Sequence, residues 1–163
     1  CSVKREFLKI VPSISKNAAI IIIPSFKKYI YIRKIIVEKY IDHEGDTLED
    51  FKFHVFNKKI FIEHILHRKL NGDIYENFYT EQWESLEFAI GAKIYKEIIP
   101  KPKNIEKLLK VVRKLSEDFD YVRVDLYNQN DNIFFGELTF AGDSGFGKFT
   151  DEEWDYKFGS YWK

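Results

Sequence analysis

Between Tyr121 and Tyr127 the chain alternates strictly, with Val122, Val124 and Leu126 on one parity and Arg123, Asp125 and Tyr127 on the other. Successive side chains of an extended strand leave on opposite faces, so this segment fits a half-buried strand with one face in a core and the other carrying charge. A second apolar-rich run, Ile133 to Phe140, follows the polar stretch Asn128-Gln129-Asn130-Asp131-Asn132. The two runs read as an antiparallel hairpin with that five-residue stretch as its loop. In that register Tyr127 stands opposite Ile133, Asp125 opposite Phe135 and Arg123 opposite Glu137. Cross-strand partners point the same way, so Arg123, Asp125 and Glu137 are expected to converge, the two carboxylates at roughly the 7–8 Å of diagonal neighbours. A slip of one residue would destroy this convergence.

The rest of the sequence reads as one α+β unit. Ala18 to Ile23 is a short β-branched run that reads as a buried strand, and residues 29–41 are also strand-like. From Phe51 to Ile65, aromatic and β-branched residues surround Asn57-Lys58, which predicts two strands joined by a tight turn. Asn71-Gly72-Asp73 reads as a turn and Pro100-Lys101-Pro102 as a rigid connector. Asn104 can cap a helix whose apolar positions Leu108, Leu109, Val111, Val112 and Leu115 recur at helical spacing. That helix is expected to lie on the sheet, and a glycine-rich segment, Ala141 to Gly147, follows the second hairpin.

Composition excludes several partners. At 163 residues and 45% hydrophobic the chain can bury one good core. Its 26 Lys and Arg balance 26 Asp and Glu, so no bulk field draws it to nucleic acid or an anionic membrane. No apolar stretch approaches the ~20 residues of a transmembrane helix, and no secretory pattern opens the chain. Cys1 is the single cysteine, which leaves no internal disulfide. The expectation is a soluble cytoplasmic protein. Because the first residue is Cys and methionine is absent, a fragment or processed product is expected, a lipidated mature lipoprotein being the alternative.

Two carboxylates on a hairpin beside an arginine suit Mg²⁺ carrying a polyphosphate, because Mg²⁺ takes hard oxygen ligands and a guanidinium neutralises the remaining phosphate charge. The same pattern also fits an exposed Arg123–Glu137 cross-strand pair with Asp125 solvated. His54 and His64 are expected near each other across the 51–65 hairpin, without the further matching ligand a zinc site needs.

The blocks Val122-Arg123-Val124-Asp125-Leu126-Tyr127, Phe135-Gly136-Glu137-Leu138-Thr139-Phe140, Ser144-Gly145-Phe146-Gly147-Lys148-Phe149 and Glu153-Trp154-Asp155-Tyr156-Lys157 resemble, in order and spacing, the C-terminal signature of TupA-like ATP-grasp proteins. Upstream, Ile36-Val37-Glu38-Lys39-Tyr40-Ile41, Asp50-Phe51-Lys52-Phe53 with Phe56-Asn57, and Asn77-Phe78-Tyr79 with Trp83 are similar to the family's remaining blocks. The resemblance covers about residues 30 to 162. It implies an ATP-grasp-like α+β fold with a mostly antiparallel sheet and packed helices, in which two subdomains hold the nucleotide. Residues 30–163 would be the C-terminal part and residues 1–29 a diverged or truncated segment, the N-terminal part of the fold being absent.

The resemblance also implies site roles. Asp125 would ligate one Mg²⁺ and Glu137 bridge two, with Arg123 near the transferred phosphate. Thr139 stands where many ATP-grasp enzymes place a metal-binding Asn. Glu38 with the backbone of Lys39, Tyr40 and Ile41 would form the adenine-contacting hinge, and Lys52 would reach the phosphates. Glu38 and Lys52 also fit ordinary solvent-facing strand positions, and Gly142, Gly145 and Gly147 fit a loop that touches no ligand. Two departures stand out: residues 1–37 lack the family's Lys-Pro followed by a Gly-Ser-Gly type loop, and Ala141-Gly142-Asp143 stands where the family commonly has a proline. The implied activity is an ATP- and Mg²⁺-dependent carboxylate–amine ligase of bacterial cell-surface polysaccharide biosynthesis, its acceptor a small molecule or surface-polymer precursor. The alternatives are a non-catalytic remnant or nucleotide-binding module, and a polysaccharide-associated glycosyltransferase.

Overall fold

The structure, a computed structural model, describes residues 18–27, 30–39, 41, 49–67 and 74–162. The chain divides into two units, Cys1–His43 and Glu44–Lys163. In the first, strands β1 (Ala18–Lys27) and β2 (Ile30–Lys39) pair antiparallel, with Ala18 opposite Lys39 and Lys27 opposite Ile30. These are the two runs expected as strands.

The second unit is built on a seven-stranded sheet. Its strands are β3 (Glu49–Phe56), β4 (Lys59–His67), β5 (Ile74–Thr80), β6 (Ser85–Leu86), β7 (Lys93–Ile94), β8 (Tyr121–Gln129) and β9 (Asn132–Thr139). They lie in the order β6-β5-β4-β3-β8-β9, with β7 beside β5 in the one parallel pairing described. Helices α1 (Ile105–Leu115) and α2 (Glu152–Tyr161) complete it. The architecture is therefore α+β with a mostly antiparallel sheet. No helix among the described residues is long and apolar enough to cross a membrane.

Alternation gives the sheet two unlike faces. One carries Phe51, Phe53, Val55, Ile60, Ile62, Val122, Val124 and Leu126, all buried beneath α1. Ile105, Leu108, Leu109 and Val112 of α1 recur at one helical face and meet them. Each such fully buried side chain stabilises the fold by about 1.5–3 kcal/mol. Glu106 in the first turn of α1 and Arg113 and Lys114 in the last complement its dipole. Asn104 occupies the position before α1, but its side chain makes no cap. Its amide instead exchanges two hydrogen bonds with Asn128, at 2.7 and 3.1 Å, so the neighbouring strand outcompetes the helix end for it.

The other face is divided. At one end Phe56, Phe61, Phe78 and Phe88 close around Phe158 of α2, whose start is capped by Asp151 accepting from Glu153 N. Elsewhere this face bears Asp50, Lys52, His54, Glu63, Arg123 and Asp125, aligned by register: Lys52 stands opposite both Glu63 and Asp125, and His54 opposite Arg123.

The β3–β4 hairpin has the expected tight turn. Asn57 and Lys58 take φ of 45° and 73°, the left-handed values of a type I′ turn. This regular register separates the two histidines, contrary to expectation. His54 lies on the charged face, while His64 stands opposite Phe51 on the core face and stacks on its ring at 4.4 Å.

The β8–β9 hairpin departs from its expected loop and register. Asn128 and Gln129 belong to β8 and Asn132 to β9, which leaves Asn130-Asp131 as a two-residue turn with φ of 50° and 62°. Asn and Asp tolerate the left-handed region, and such a turn matches the strand twist better than a five-residue loop. Leu126 then pairs with Phe135; run on unbroken, this register would put Glu137 opposite Val124, on the core face. A bulge intervenes. Between Leu126↔Phe135 and Val124↔Leu138 the β9 strand holds one extra residue, so Gly136 and Glu137 together face Asp125. Arg123 pairs with Thr139 rather than Glu137. The turn shifts the expected register by one residue and the bulge by one more, so parity is restored and the convergence survives. Glycine is required at the bulge: a Cβ on Gly136 would lie 2.9 Å from the Asp125 carbonyl oxygen.

Candidate functional site

Six side chains meet on the charged face. Arg123, two residues before Asp125 on β8, grips its carboxylate with a fork, Nε to Oδ1 and Nη2 to Oδ2 at 2.8 Å each. From β3, Lys52 Nζ approaches Asp125 Oδ2 at 3.1 Å and Asp50 Oδ2 at 3.2 Å. Arg123 Nη2 also donates to Glu137 Oε1 at 3.1 Å and to Thr139 Oγ1 at 3.3 Å, while the Thr139 hydroxyl donates to Glu137 Oε1 at 2.8 Å. Arg123, Asp125 and Glu137, expected to converge, are thus joined by Lys52 and Thr139 in one hydrogen-bonded cluster.

Its two outer carboxylates differ. The Asp125 side chain is 7% exposed and that of Glu137 62%. Burial pulls the Arg123 pKa down, but its bonds to Asp125 and the charge there outweigh this and hold it above its ordinary value. Lys52 follows the same logic: burial lowers its pKa, and Asp50 and Asp125 raise it further. Asp50 is pushed up, chiefly by burial, against the lowering effect of Lys52. Both cations therefore stay charged at neutral pH. The donor set suits Mg²⁺, since a buried and an exposed carboxylate flank one guanidinium nitrogen and a phosphate can complete the shell. No group of three or more His, Cys, Asp or Glu suited to a metal occurs among the described residues, so protein ligands alone do not make a cage.

Glu38 and Lys39 lie in β2, opposite Ala19 and Ala18, and Ile41 is half-buried; these three belong to the first unit. Tyr40 and the Asn71-Gly72-Asp73 turn lie outside the described residues.

Sequence reasoning missed a cleft beside the cluster, about 380 Å³ in volume. Its floor is Arg123, His54, Glu63 and Tyr121 and its roof is the glycine-rich segment. That segment makes a tight turn over Gly142–Gly145 in which Asp143, Ser144 and Gly145 all take left-handed, positive φ. It is pinned by a bridge between Ile90 and Phe149 and by Ala89 N donating to Thr150 Oγ1. Gly142 lies against Arg123, where a Cβ would be 3.2 Å from Nη1. On the floor His54 Nε2 and Glu63 Oε2 are 2.8 Å apart, both residues buried. The signal for that pair was present: a two-residue turn at Asn57-Lys58 puts Glu63 opposite Lys52 and on the face of His54. Behind it, Glu76 is buried, accepts from Ile90 N, and has its pKa pushed up to about 8 by burial first and then by the charge of Glu63.

Among known families, residues 2–163 match the one described as TupA-like ATPgrasp. The chain belongs to the TupA-like ATP-grasp family. The match takes in residues 2–29 as well as the blocks from residue 30 onward. Membership supports ATP binding and a ligase-type function. Comparison with curated proteins and with solved structures returned no match.

Proposed function

We propose that this chain carries the phosphate-handling side of an ATP-dependent carboxylate–amine ligase, with Asp125 and Glu137 as the Mg²⁺ ligands. The supporting observation is the shared guanidinium: Arg123 Nη2 is within hydrogen-bond distance of both carboxylates. Asp125, fixed by Arg123 and Lys52, supplies a positioned oxygen, and exposed Glu137, steadied by Thr139, supplies an adaptable one. When bound, Mg²⁺-ATP supplies the phosphoryl group that makes the acceptor carboxylate an acyl phosphate open to attack by an amine. Arg123 and Lys52 take up phosphate charge without proton movement, since both remain protonated. Glu38 with the backbone of Lys39, Tyr40 and Ile41 contacts the adenine. The acceptor is a surface-polymer precursor or related small molecule, and the reaction belongs to cytoplasmic steps of cell-surface polysaccharide assembly. Residues 30–163 act as the C-terminal part of the ATP-grasp fold, with 1–29 a diverged segment.

The test is ADP release by the longest natural form of the protein with sugar-acid and amino-acid acceptors. Asp125→Asn and Glu137→Gln are each expected to abolish it; undiminished release in both excludes these residues as the metal ligands.

A second reading, a remnant that binds nucleotide without turnover, is favoured by the lack of a Gly-Ser-Gly type loop in residues 1–37. In either case the 163-residue chain should bind Mg²⁺-ATP more weakly than micromolar by calorimetry, that is, less favourably than about −8 kcal/mol. Tighter binding would mean that its phosphate contacts do not depend on such a loop.

A further inference from the structure

We propose that the outward face of α1, together with Ile98 just before it, docks this protein on an anionic membrane surface. The chain's 26 Lys and Arg balance 26 Asp and Glu, but the cations are not evenly spread. Residues 101–114 hold six Lys and Arg against one acidic residue, Glu106, so this stretch is strongly positive within a neutral chain. α1 covers the face of the sheet turned away from Asp125 and Glu137, so docking here is independent of the ligase reading and leaves that cluster uncovered.

Helical geometry sorts these charges. At about 100° per residue, Lys107, Lys110 and Lys114 fall within about 60° of one another, opposite the buried Ile105, Leu108, Leu109 and Val112. All three lysines are exposed, as are Lys101 and Lys103 in the connector before the helix. Among the described residues Lys101, Lys103, Lys107 and Lys110 make no ion pair, and Lys114, paired with Glu117, keeps its side chain 75% exposed. Like charges three and four residues apart cost a helix a little stability, and no described pair offsets that cost at Lys107 and Lys110.

Ile98 selects the partner. Its neighbour Ile99 packs against the core under α1, and the Ile99 carbonyl accepts from Trp83 Nε1 at 3.1 Å. Pro100 and Pro102 stiffen the link to the helix, where Ile105 N donates to the Pro102 carbonyl at 3.2 Å. Ile98 is thus held at the start of the basic stripe and is nevertheless 97% exposed. An isoleucine fixed in water is stabilised by entering the boundary between headgroups and acyl chains, while lysines beside it meet lipid phosphate. A nucleic acid would use the charge and not the isoleucine: single strands stack on aromatic rings, and residues 96–118 contain none. At 11 residues α1 is too short to span a bilayer, so it lies on the surface, where charge and one apolar anchor together give reversible attachment.

The full chain is mixed with vesicles of phosphatidylcholine, alone or with about 30% phosphatidylglycerol, and the bound fraction is read by sedimentation. Binding is expected at millimolar lipid with the anionic vesicles only, and should vanish in about 1 M salt, where charges act over ~3 Å. Each lysine near the surface is worth about fivefold in partitioning, so Lys107→Gln with Lys110→Gln should weaken binding roughly 25-fold. Glutamine holds a helix nearly as well as lysine, so this variant keeps the fold. The same change at exposed Lys58 and Lys157, away from α1, should weaken binding by less than about twofold. Ile98→Ser should weaken it about tenfold and leave its salt dependence in place. Equal binding to neutral vesicles, no binding at millimolar lipid, equal losses from the two lysine pairs, or an Ile98→Ser protein that binds like wild type each overturns the proposal. So does tighter binding of single-stranded RNA with the same lysine dependence, which would make the stripe a nucleic-acid surface.

Discussion

The β3–β4 and β8–β9 hairpins share a two-residue left-handed turn, yet only the second carries a bulge among the described pairings. In β3–β4 the register runs unbroken, so strict alternation decides every side chain's face, including that of His64, which is driven into the core beside Phe51. In β8–β9 the turn alone would send Glu137 coreward, and one extra residue at Gly136 returns it to Asp125 and Arg123. The regular hairpin builds the floor, and the irregular one builds the site.

The sharpest test of that difference compares the two carboxylates. Asp125 is the buried partner of Arg123, and removing one member of a buried pair typically costs about 3–5 kcal/mol; Asp125→Asn, which keeps an acceptor, should fall near ~3 kcal/mol. Glu137 is 62% exposed, so Glu137→Gln should change urea-denaturation stability by less than about 0.5 kcal/mol. Both should lose ATP turnover completely. A Glu137→Gln protein as destabilised as Asp125→Asn would mean that Glu137 is structural and that the two carboxylates do not divide anchoring from recruitment.

This division explains how much of the molecule could be read in advance. The faces of β3, β4 and β8 and the helix over 105–115 follow from period and parity, which need no tertiary information, whereas the approach of Lys52 to Asp125 needs the pairing of β3 with β8. The bulge does not, because its position depends on Gly136 tolerating contact with the Asp125 carbonyl, a cross-strand fact. Asn104 carried a correct helix-start signal, but its side chain was claimed by Asn128 from a strand distant in sequence. Residues 66–103 give no detailed reading from sequence, and within 74–94 the reason is that β6 and β7 are two residues each and the segment is secured by ring stacks such as Phe78–Phe88 and Tyr79–Trp83.

The regular hairpin predicts a pH effect of its own. His64 is buried with Nδ1 unpartnered, and burial lowers its pKa to about 4 from the ordinary 6.5. The folded state therefore binds fewer protons than the unfolded one. Its contribution is fully present above pH 6.5 and is lost as pH falls toward 4, by up to about 3 kcal/mol at ~1.4 kcal/mol per unit. His64→Phe should hold more of its stability than wild type across that fall. Parallel pH curves would show that the regular register does not bury a neutral imidazole.

Gly136→Ala attacks the irregular hairpin directly. A Cβ there meets backbone rather than a movable side chain, at 2.9 Å, so the strand must shift. A loss of about 1–3 kcal/mol is expected, as for overpacking elsewhere, together with weakened Mg²⁺-ATP binding because Glu137 loses its register. Retained stability and nucleotide affinity together would show that the convergence does not need the bulge.

The smallest effect separates the turns themselves. Lys58 at φ 73° and Asp131 at φ 62° hold equivalent left-handed positions, but lysine has no local polar group to ease that conformation and aspartate does. Replacing Lys58 by glycine removes a strain of about 1–2 kcal/mol and adds about 0.5–1 kcal/mol of unfolded-state entropy, so a net gain of roughly 0.5–1 kcal/mol should appear in the urea midpoint. Asp131→Gly starts from less strain and should gain less, or nothing. The same unfolded-state term applies to both, so the difference between the variants reads the folded turns alone. An Asp131→Gly gain equal to or above that of Lys58→Gly would mean that the β8–β9 turn is at least as strained as the β3–β4 turn, and that the aspartate side chain does not ease it.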